Sequence, residues 1–308
     1  MITLSARESE EPVLKRPTAD RTRRIACAIA AALAAIAALT GCGGSGSGLT
    51  VPTVAPARVY SLGGFAPTTP VTPGRPVTVT FTVLLPSGKP LTHYKTGSGP
   101  HTGVHLIIVR NDLAYIIHQH PPIGPNGLLR QTVTFPAPGP YRVLVDVYPN
   151  IPGGQPNFQL FTKINVTGTY RPLPLPPYHA NLIVDGYHFD MRAHPQVHAI
   201  QAQFINVTVT DPHGHKPTFV PWFGALAHAI FFRQGSLDYF HTHICAPNAP
   251  NCGALPGVAS SRISGSSTAP GKLTIGVLLP VPGTWRLFLQ MKLGGRIVTA
   301  PYTLDVAS

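Results

Sequence analysis

Six histidines occur in one pattern that is repeated in two parts of the chain. In both parts the second histidine follows the first by thirteen residues, and the third comes two residues later. The six residues are His105, His118 and His120, and then His228, His241 and His243. Neutral imidazole is a good ligand for Cu(II) and Zn(II). The repeated pattern therefore predicts one metal site in each part of the chain, with copper as the expected metal and zinc as the alternative.

The first three histidines lie on a predicted β-hairpin that would bring them together. A turn centred on residues 111–112 (Asn-Asp) is favoured by its composition and would place His105 opposite His118. His120 shares the face of His118, because side chains two residues apart along a strand point the same way. His101 joins that face if the strand extends four residues back from His105. We therefore expect three or four imidazoles at the open end of this hairpin.

The second group allows the same construction. A turn at residues 234–235 (Gln-Gly) would place His228 opposite His241, with His243 beside it. The position that corresponds to His101 is occupied by Gly224. The second hairpin therefore predicts a site with three imidazoles.

Further ligands and a purely structural role of the histidines are both compatible with the sequence. Asp146 and Gln290 lie at matching places on later predicted strands, and either they or water would complete each site. Alternatively, histidines near strand ends can hydrogen-bond to neighbouring loops and have only a structural role. The spacing does not distinguish these two readings.

The elements around the histidines are predicted to be strands. Short apolar runs alternate with Pro, Gly, Asn and Asp, and the chain contains 35 prolines. Alternating Val or Phe with Thr is typical of a strand with one buried face. The predicted strands are 77–83, 106–109, 132–135, 142–148, 204–210, 229–232, 272–279 and 286–291. This pattern predicts an all-β protein with two tandem Ig-like or cupredoxin-like antiparallel β-sandwich domains.

The internal repeat also predicts the domain boundaries. The first sandwich is expected over residues 58–170 and the second over residues 171–308, with the boundary in the proline-rich stretch that begins at Tyr170. Each repeat contains Pro-Gly-x-aromatic-Arg, in which the aromatic residue is Tyr141 or Trp285. We interpret both as the structural corner that leads into a late strand of an Ig-like sandwich.

The N-terminus predicts export and a lipid anchor. Three arginines precede an uncharged apolar run at residues 25–39, which is shorter than the roughly 20 residues that span a bilayer. Leu-Thr-Gly-Cys at residues 39–42 resembles the bacterial lipobox, so residues 1–41 are predicted to be a signal peptide and Cys42 the lipidated residue. A Gly/Ser tether follows within residues 42–57. The alternative is an uncleaved membrane anchor.

The remaining cysteines and the charge agree with an extracytoplasmic location. An oxidising compartment would let Cys245 and Cys252 form a disulfide bond, although thiolate binding of a metal stays open. The formal net charge is +12, but Lys and Arg are not clustered, which argues against nucleic acid as a partner. Anionic lipid or cell-wall polymer fits the charge better.

The residues around the histidines resemble bacterial exported proteins with YtkA-like or FixH-like domains. The likeness rests on His-Leu-Ile-Ile-Val-Arg-Asn-Asp-Leu at 105–113, His-x-His-Pro at 118–121, and Pro-Gly-x-Tyr-Arg-Val at 138–143. The second part resembles the partner domain of these proteins, with Pro-Trp-Phe-Gly-Ala-Leu-Ala-His at 221–228. Such proteins are Ig-like sandwiches similar in style to CopC-type periplasmic copper proteins. The resemblance implies a role in heavy-metal handling, carried by the six repeated histidines.

These expectations define a leading function and two rivals. The leading hypothesis is a membrane-tethered metal-binding protein that sequesters a metal ion or exchanges it with a donor or acceptor protein. The first rival is a structural or adhesive envelope lipoprotein that binds protein or glycan. The second is a zinc hydrolase with a three-histidine site, which is disfavoured because no carboxylate lies near either cluster in sequence to serve as general base and no Gly-x-Ser-x-Gly motif is present. The protein is therefore not expected to be an enzyme.

Overall fold

A computed structural model describes residues 59–97, 99–192, 194–247, 249 and 264–308. The predicted signal peptide, Cys42, the tether and Cys252 lie outside these residues. Arg58–Ser308 forms one compact unit.

The first half of the described chain contains seven strands in two sheets. The strands are β1 (Ser61–Ala66), β2 (Pro76–Leu84), β3 (Val104–Arg110), β4 (Ile116–Gln119), β5 (Leu128–Thr134), β6 (Gly139–Val147) and β7 (Phe158–Val166). One sheet has the order β1-β2-β5 and the other the order β4-β3-β6-β7. A single turn of 3₁₀-helix at Pro125–Gly127 precedes β5.

The second half contains ten strands in one continuous sheet. The strands are β8 (Asn181–Val184), β9 (Tyr187–Asp190), β10 (Val197–His198), β11 (Gln203–Thr210), β12 (Ala227–Arg233), β13 (Tyr239–Cys245), β14 (Gly265–Ser266), β15 (Lys272–Val277), β16 (Gly283–Leu293) and β17 (Arg296–Ala307). Their order is β10-β17-β16-β12-β13-β14-β15-β11-β9-β8. Residues of β11 and β15 share one core with residues of β12, β16 and β17, so the sheet folds over on itself as a sandwich.

The all-β prediction is confirmed. Every predicted strand coincides with an observed one, and no α-helix occurs among the described residues. All strand pairs are antiparallel except the short pairs β10–β17 and β13–β14. The sandwich arrangement follows from the period of two, since inward residues such as Val79, Phe81 and Val83 are fully buried in the core of the first half.

A third apolar cluster lies between the two halves. It contains Ile107, Val109 and Leu144 from the first half and Ile230, Phe232 and Phe288 from the second, together with Leu113 and Leu237. These residues alternate along their strands with residues of the two sandwich cores, such as Leu106 and Ala229. Strands β3 and β12 are therefore covered on both faces, and the inner face of each half packs against the other half. We call this group the shared apolar cluster.

The segment between the halves contains no strand from residue 167 to residue 180. The N–H of Leu173, in this segment, donates to Asp112 Oδ2 at 2.8 Å, which attaches the segment to the β3–β4 loop. The division into two domains near Tyr170 stays a prediction, since all of these strands belong to one compact unit.

The two repeated aromatic residues occupy the same structural position in each half. Tyr141 is fully buried and its hydroxyl donates to the carbonyl of Ala137 at 2.9 Å. Trp285 is fully buried and its Nε1–H donates to the carbonyl of Val281 at 3.1 Å. Each donor therefore reaches back four residues to the turn before its strand, as in the tyrosine corner of Ig-like sandwiches. This position agrees with the structural role predicted for both.

Asp112 is expected to stabilise the fold at neutral pH but not in acid. Its carboxylate accepts from Arg110 Nε at 2.8 Å and from Arg110 Nη2 at 2.6 Å. Burial opposes ionisation, but the hydrogen bonds from Arg110, Leu173 and Ala114 outweigh it and bring the pKa of Asp112 below 3.8. The stabilisation is therefore complete above about pH 4 and is lost as the pH falls through the folded-state pKa.

We expect Asp112→Asn to lower the free energy of unfolding by about 2 kcal/mol at pH 7, because its amide group turns a donor toward other donors. Urea unfolding at pH 7 and pH 3 measures this. The difference from the unsubstituted protein should shrink at pH 3. An equal loss at both pH values would contradict the charged interaction.

Candidate metal centre

The observed hairpin registers differ from the predicted ones by two residues. His118 lies opposite Ile107 rather than His105, and His241 lies opposite Ile230 rather than His228. The cause is a longer loop in each hairpin. Arg110 N–H bonds to the carbonyl of Tyr115, so residues 111–114 form the first loop, and residues 234–237 form the second in the same way. The predicted opposite pairs were wrong, because the turns were expected to contain two residues.

The histidines nevertheless share a face. A shift of two residues keeps every side chain on its original side of the strand. In the second hairpin, for example, His228 lies opposite His243. These are the same strand faces that meet in the shared apolar cluster. His105 precedes Ile107 by two residues and His228 precedes Ile230 by two, so both histidines lie at the edge of that cluster.

The two hairpins therefore form one group of histidines rather than two separate ones. His105 Nδ1 lies 3.3 Å from His241 Nδ1, across the boundary between the halves. The rings of His118 and His228 are 4.9 Å apart, and those of His101 and His243 are 4.7 Å apart. We call this group the histidine cluster. Its members are His101, His105, His118, His120, His228, His241 and His243.

The protonation of His105 and His228 is fixed by backbone carbonyls. His105 Nε2 lies 2.8 Å from the carbonyl of Pro100, and His228 Nε2 lies 2.9 Å from the carbonyl of Trp222. A carbonyl only accepts, so both Nε2 atoms carry the proton. The Nδ1 lone pair of each ring is therefore directed into the cluster, and this use of the second nitrogen is typical of metal-binding histidines.

Gln290 fixes the orientation of His118. Its amide nitrogen donates to Thr299 Oγ1 at 3.0 Å, which turns its oxygen toward His118 Nδ1 at 3.2 Å. His118 therefore donates through Nδ1 and keeps a lone pair on Nε2, which lies 3.3 Å from His120 Nε2. Gln290 thus positions a histidine instead of completing a site as a ligand.

Asp146 and Tyr148 form the equivalent network on the other side. The hydroxyl of Tyr148 donates to Asp146 Oδ2 at 3.1 Å and lies 3.4 Å from His101 Nδ1. His101 therefore donates through Nδ1 and keeps its Nε2 lone pair. The other oxygen of Asp146 accepts from the amides of Asn157 and Gln159, while burial raises the pKa of the carboxyl. Asp146 Oδ2 lies 3.7 Å from His105 Nδ1, outside hydrogen-bond distance.

Two histidines have ring nitrogens that the described residues leave without a complete set of hydrogen bonds. His241 Nδ1 faces His105 Nδ1, and His241 Nε2 faces His228 Nδ1 at 3.3 Å. A neutral imidazole has one N–H, so His241 can donate to only one of them. His243 is 1% exposed, and neither of its ring nitrogens has a hydrogen-bond partner among the described residues. Buried polar atoms in this state are rare and require an explanation.

Burial keeps the cluster uncharged at neutral pH. Desolvation lowers the pKa of His105 and of His228 to about 3. It also lowers the pKa of His118, His241 and His243 well below 6.5, and neighbouring imidazoles add to the effect. Neutral imidazole is the form that binds a metal ion.

Three overlapping groups of histidines have metal-binding dimensions. In each group, one nitrogen per residue lies within 4.8 Å of the others. The groups are His105, His118 and His120; His105, His241 and His243; and His118, His228 and His241. The first is the trio predicted for the first hairpin. The other two combine residues of both halves, which the sequence repeat did not predict.

Aromatic residues of the second half cover the first hairpin. Phe223 stacks on His120 with ring centroids 3.9 Å apart, and Trp222 contacts the edge of His118 at 5.3 Å. Our sequence reasoning did not assign these residues, or Tyr148, to the site. The sequence feature that could have identified Trp222 and Phe223 is the aromatic pair that they form shortly before His228. They screen the histidines from water.

Gly224 explains why the second repeat has no counterpart of His101. Its φ is +80°, and a Cβ there would lie 2.3 Å from the carbonyl carbon of Gly99. The loop that carries Gly224 thus meets the loop of the first half that supplies the Pro100 carbonyl to His105. A side chain at residue 224 would separate the two loops.

We expect Gly224→Ala to lower the free energy of unfolding by about 2 kcal/mol, since the left-handed conformation alone costs roughly 1–2 kcal/mol and the contact adds to it. Gly153→Ala is the matched control, because Gly153 has a φ of +85° but nothing within 4 Å of its Cβ position. Urea unfolding of both variants measures the difference. Equal losses would show that the contact with Gly99 is unimportant.

Several other residues complete the comparison with the sequence. His213 and His215 lie exposed in the turn that follows β11, outside the histidine cluster. Cys245 is disulfide-bonded, whereas Cys252 lies outside the described residues, so the predicted pairing stays a prediction. The described residues contain no helix that is long and apolar enough to cross a bilayer.

The structure thus defines an all-β sandwich protein with a buried histidine cluster between its halves. Residues 182–308 match a family model described as a domain of unknown function, DUF8832. This segment begins in β8 and contains His228, His241 and His243. No curated protein matches the chain. The resemblance to YtkA-like and FixH-like proteins stays a prediction.

Solved structures that are similar to this chain include fibronectin(III)-like modules and tandem Ig repeats. The bacterial integrin-binding protein invasin is 17% identical with a TM-score of 0.19, and the match covers 80% of this chain but 39% of invasin. The fibronectin(III)-like modules of Clostridium thermocellum CbhA are 11% identical over 81% of this chain and 93% of theirs, with a TM-score of 0.20. The tandem Ig repeats of Dlar are 9% identical over 81% and 98%, with a TM-score of 0.22. Likenesses at these TM-scores carry no functional argument.

Proposed function

We propose that this chain is an exported, membrane-anchored metal-binding protein whose site is the histidine cluster. Copper is the expected metal and zinc the alternative. The protein sequesters the ion or exchanges it with a donor or acceptor protein, and it does not turn over a substrate. The observation that carries the proposal is that neither buried ring nitrogen of His243 has a hydrogen-bond partner among the described residues. Beside it, the half-buried His241 has one N–H but faces the Nδ1 lone pairs of both His105 and His228.

A bound cation accounts for these lone pairs. An unsatisfied buried polar atom costs roughly 1–3 kcal/mol, so the two unpartnered nitrogens of His243 destabilise the fold unless a ligand binds them. One ring nitrogen of His105, His118 and His228 donates a hydrogen bond to a fixed acceptor, and the other is directed into the cluster. Imidazole nitrogens arranged in this way suit copper and zinc.

Export is supported by the cysteines. Cys245 is disulfide-bonded, and disulfide bonds persist in oxidising compartments outside the cytoplasm. A sulfur in a disulfide is not a thiolate ligand, so the proposed site depends on imidazole alone. The anchor on Cys42 rests on the sequence pattern at residues 39–42.

The rival functions are less well supported. A structural or adhesive protein has no use for buried imidazoles without hydrogen-bond partners. A hydrolase needs a carboxylate that can act as a base, yet both oxygens of Asp146 already accept hydrogen bonds from Tyr148, Asn157 and Gln159. Tight metal binding would contradict the structural or adhesive function, in which the histidines bind no metal.

Calorimetric titration of the purified chain, untagged and stripped of metal, with Cu(II) and Zn(II) tests the proposal. We expect a dissociation constant below about 10 μM for at least one metal, which corresponds to roughly −7 kcal/mol. The control is His213→Ala combined with His215→Ala, which removes two exposed histidines outside the cluster and should leave the affinity unchanged. Binding of neither metal, or binding that this control abolishes, would overturn the proposal.

His243→Leu separates a ligand from a structural histidine. The two side chains have similar size, and His243 makes no hydrogen bond that the substitution would break. We expect the metal-free variant to be at least as stable as the original, because replacing an unsatisfied buried polar group is neutral or stabilising. Metal affinity should fall by about 100-fold. Lost stability with unchanged affinity would support the structural reading.

A further inference from the structure

Overlap between the histidine groups limits how many metal ions the cluster can hold. Any two of the three groups share one histidine, which is His105, His118 or His241. Two ions can therefore be bound together only if the shared histidine serves both. Such a residue must offer a nitrogen to each ion.

Only one of the shared histidines turns both nitrogens into the cluster. His105 donates Nε2–H to the Pro100 carbonyl, and His118 donates Nδ1–H to Gln290, so each has one nitrogen left. His241 has Nδ1 at 3.3 Å from His105 Nδ1 and Nε2 at 3.3 Å from His228 Nδ1. The opposite edges of its ring thus face two different groups of ligands.

We propose that the cluster holds two metal ions bridged by the imidazole ring of His241. This inference rests on the proposed function and specifies the stoichiometry of the same site. The first ion lies with His105, His241 and His243. The second lies with His118, His228 and His241. Each ion is therefore bound by residues of both halves.

The remaining two histidines complete the ligand sets. The ring of His101 lies 4.7 Å from that of His243, and His120 Nε2 lies 3.3 Å from His118 Nε2. Each is therefore placed to be the fourth ligand of one ion, and copper and zinc commonly bind four ligands. All seven histidines of the cluster are then used. A single ion would leave at least three of these imidazoles unused as ligands.

Bridging has a defined proton balance. Neutral His241 has one lone pair and one N–H, so it can bind one ion without losing a proton. Binding the second ion releases the N–H proton to solvent and leaves the ring as an imidazolate with a metal ion on each nitrogen. No oxidant or reductant is involved.

Copper loading followed by two independent measurements tests the bridge. The metal-free chain is titrated with Cu(II), the bound copper per chain is counted by native mass spectrometry, and unpaired spins are counted by electron paramagnetic resonance. We expect two copper ions per chain and far fewer than two spins, because an imidazolate bridge couples two Cu(II) ions antiferromagnetically. Loading one Cu(II) and one Zn(II) should restore one spin per chain.

Substitution of His241, the proposed bridge, is compared with substitution of His120, a proposed ligand of only one ion. In His241→Ala the spin count should equal the number of copper ions bound, since the coupling path is gone. In His120→Ala the coupling should persist at full loading, with weaker binding of one ion. The unsubstituted chain alone decides the proposal if either variant fails to fold.

The possible failures are distinguishable. One copper ion at saturation, or two ions with two full spins, would overturn the bridge and leave the proposed function standing. No bound copper or zinc would overturn both. Coupled spins that persist in folded His241→Ala would place the bridge on another group.

Discussion

Saturation with Cu(II) is expected to raise the free energy of unfolding by about 4 kcal/mol for each bound ion when free metal exceeds the dissociation constant a thousand-fold. The histidine cluster takes ligands from both halves of the chain, so it exists only when β3 and β12 are packed together. A ligand that binds only the folded state stabilises it by mass action. Histidines of the unfolded chain also bind copper, which reduces the effect. Removal of the metal with a chelator should reverse it.

Denaturant unfolding at several copper concentrations measures this stabilisation. The transition midpoint should rise with the logarithm of free metal and return after chelation. His213→Ala with His215→Ala should respond like the original protein, whereas His243→Leu should respond much less. A midpoint that does not depend on copper in the original protein would contradict a site that both halves form.

The strands of this fold could be predicted well from local patterns. Val77, Val79, Phe81 and Val83 alternate with threonine, and β2 contains that alternation with its apolar side chains directed inward. The period of two is a local property of the chain and needs no knowledge of distant residues. The same reasoning located β3, β6, β11, β12, β15 and β16.

The hairpin registers could not be predicted in this way. Leu113 and Leu237 have φ values of 61° and 59°, in the left-handed region that leucine rarely adopts. Both leucines are buried in the shared apolar cluster. Contact with the opposite half is therefore the physical reason for these loop conformations. A prediction from turn composition favours shorter loops, because it does not include that contact.

The joint site was only partly visible in the sequence. The repeat identified the histidines of each half, and the structure keeps them on one face of each hairpin. Residues 105–109, His-Leu-Ile-Ile-Val, are apolar on both faces apart from the histidine, which is typical of a strand buried on both sides. That signal showed that something covers β3. The covering surface was the other half of the chain, and a repeat alone does not show that its two copies face each other.

Phe288→Ala is expected to lower the free energy of unfolding by about 3–5 kcal/mol, because it opens a cavity between the two halves. Phe288 is 2% exposed in the shared apolar cluster, and it pairs with Ile230 in the β12–β16 ladder. Gln290 lies two residues further along the same face and orients His118. The substitution should therefore also weaken metal binding, although Phe288 is not a member of the histidine cluster.

Urea unfolding and copper titration of the same variant test both effects. Phe204→Ala is the control, because Phe204 is 57% exposed and its loss should change stability by no more than about 0.5 kcal/mol. Leu144 lies in the shared apolar cluster on the side of the first half. Phe288→Ala combined with Leu144→Ala should lower the free energy of unfolding by an amount that differs from the sum of the two single effects by at least about 0.5 kcal/mol. Additive losses with unchanged copper affinity would mean that the halves fold and bind independently. Coupled losses together with weaker copper binding would mean that one interface both stabilises the fold and positions the metal ligands.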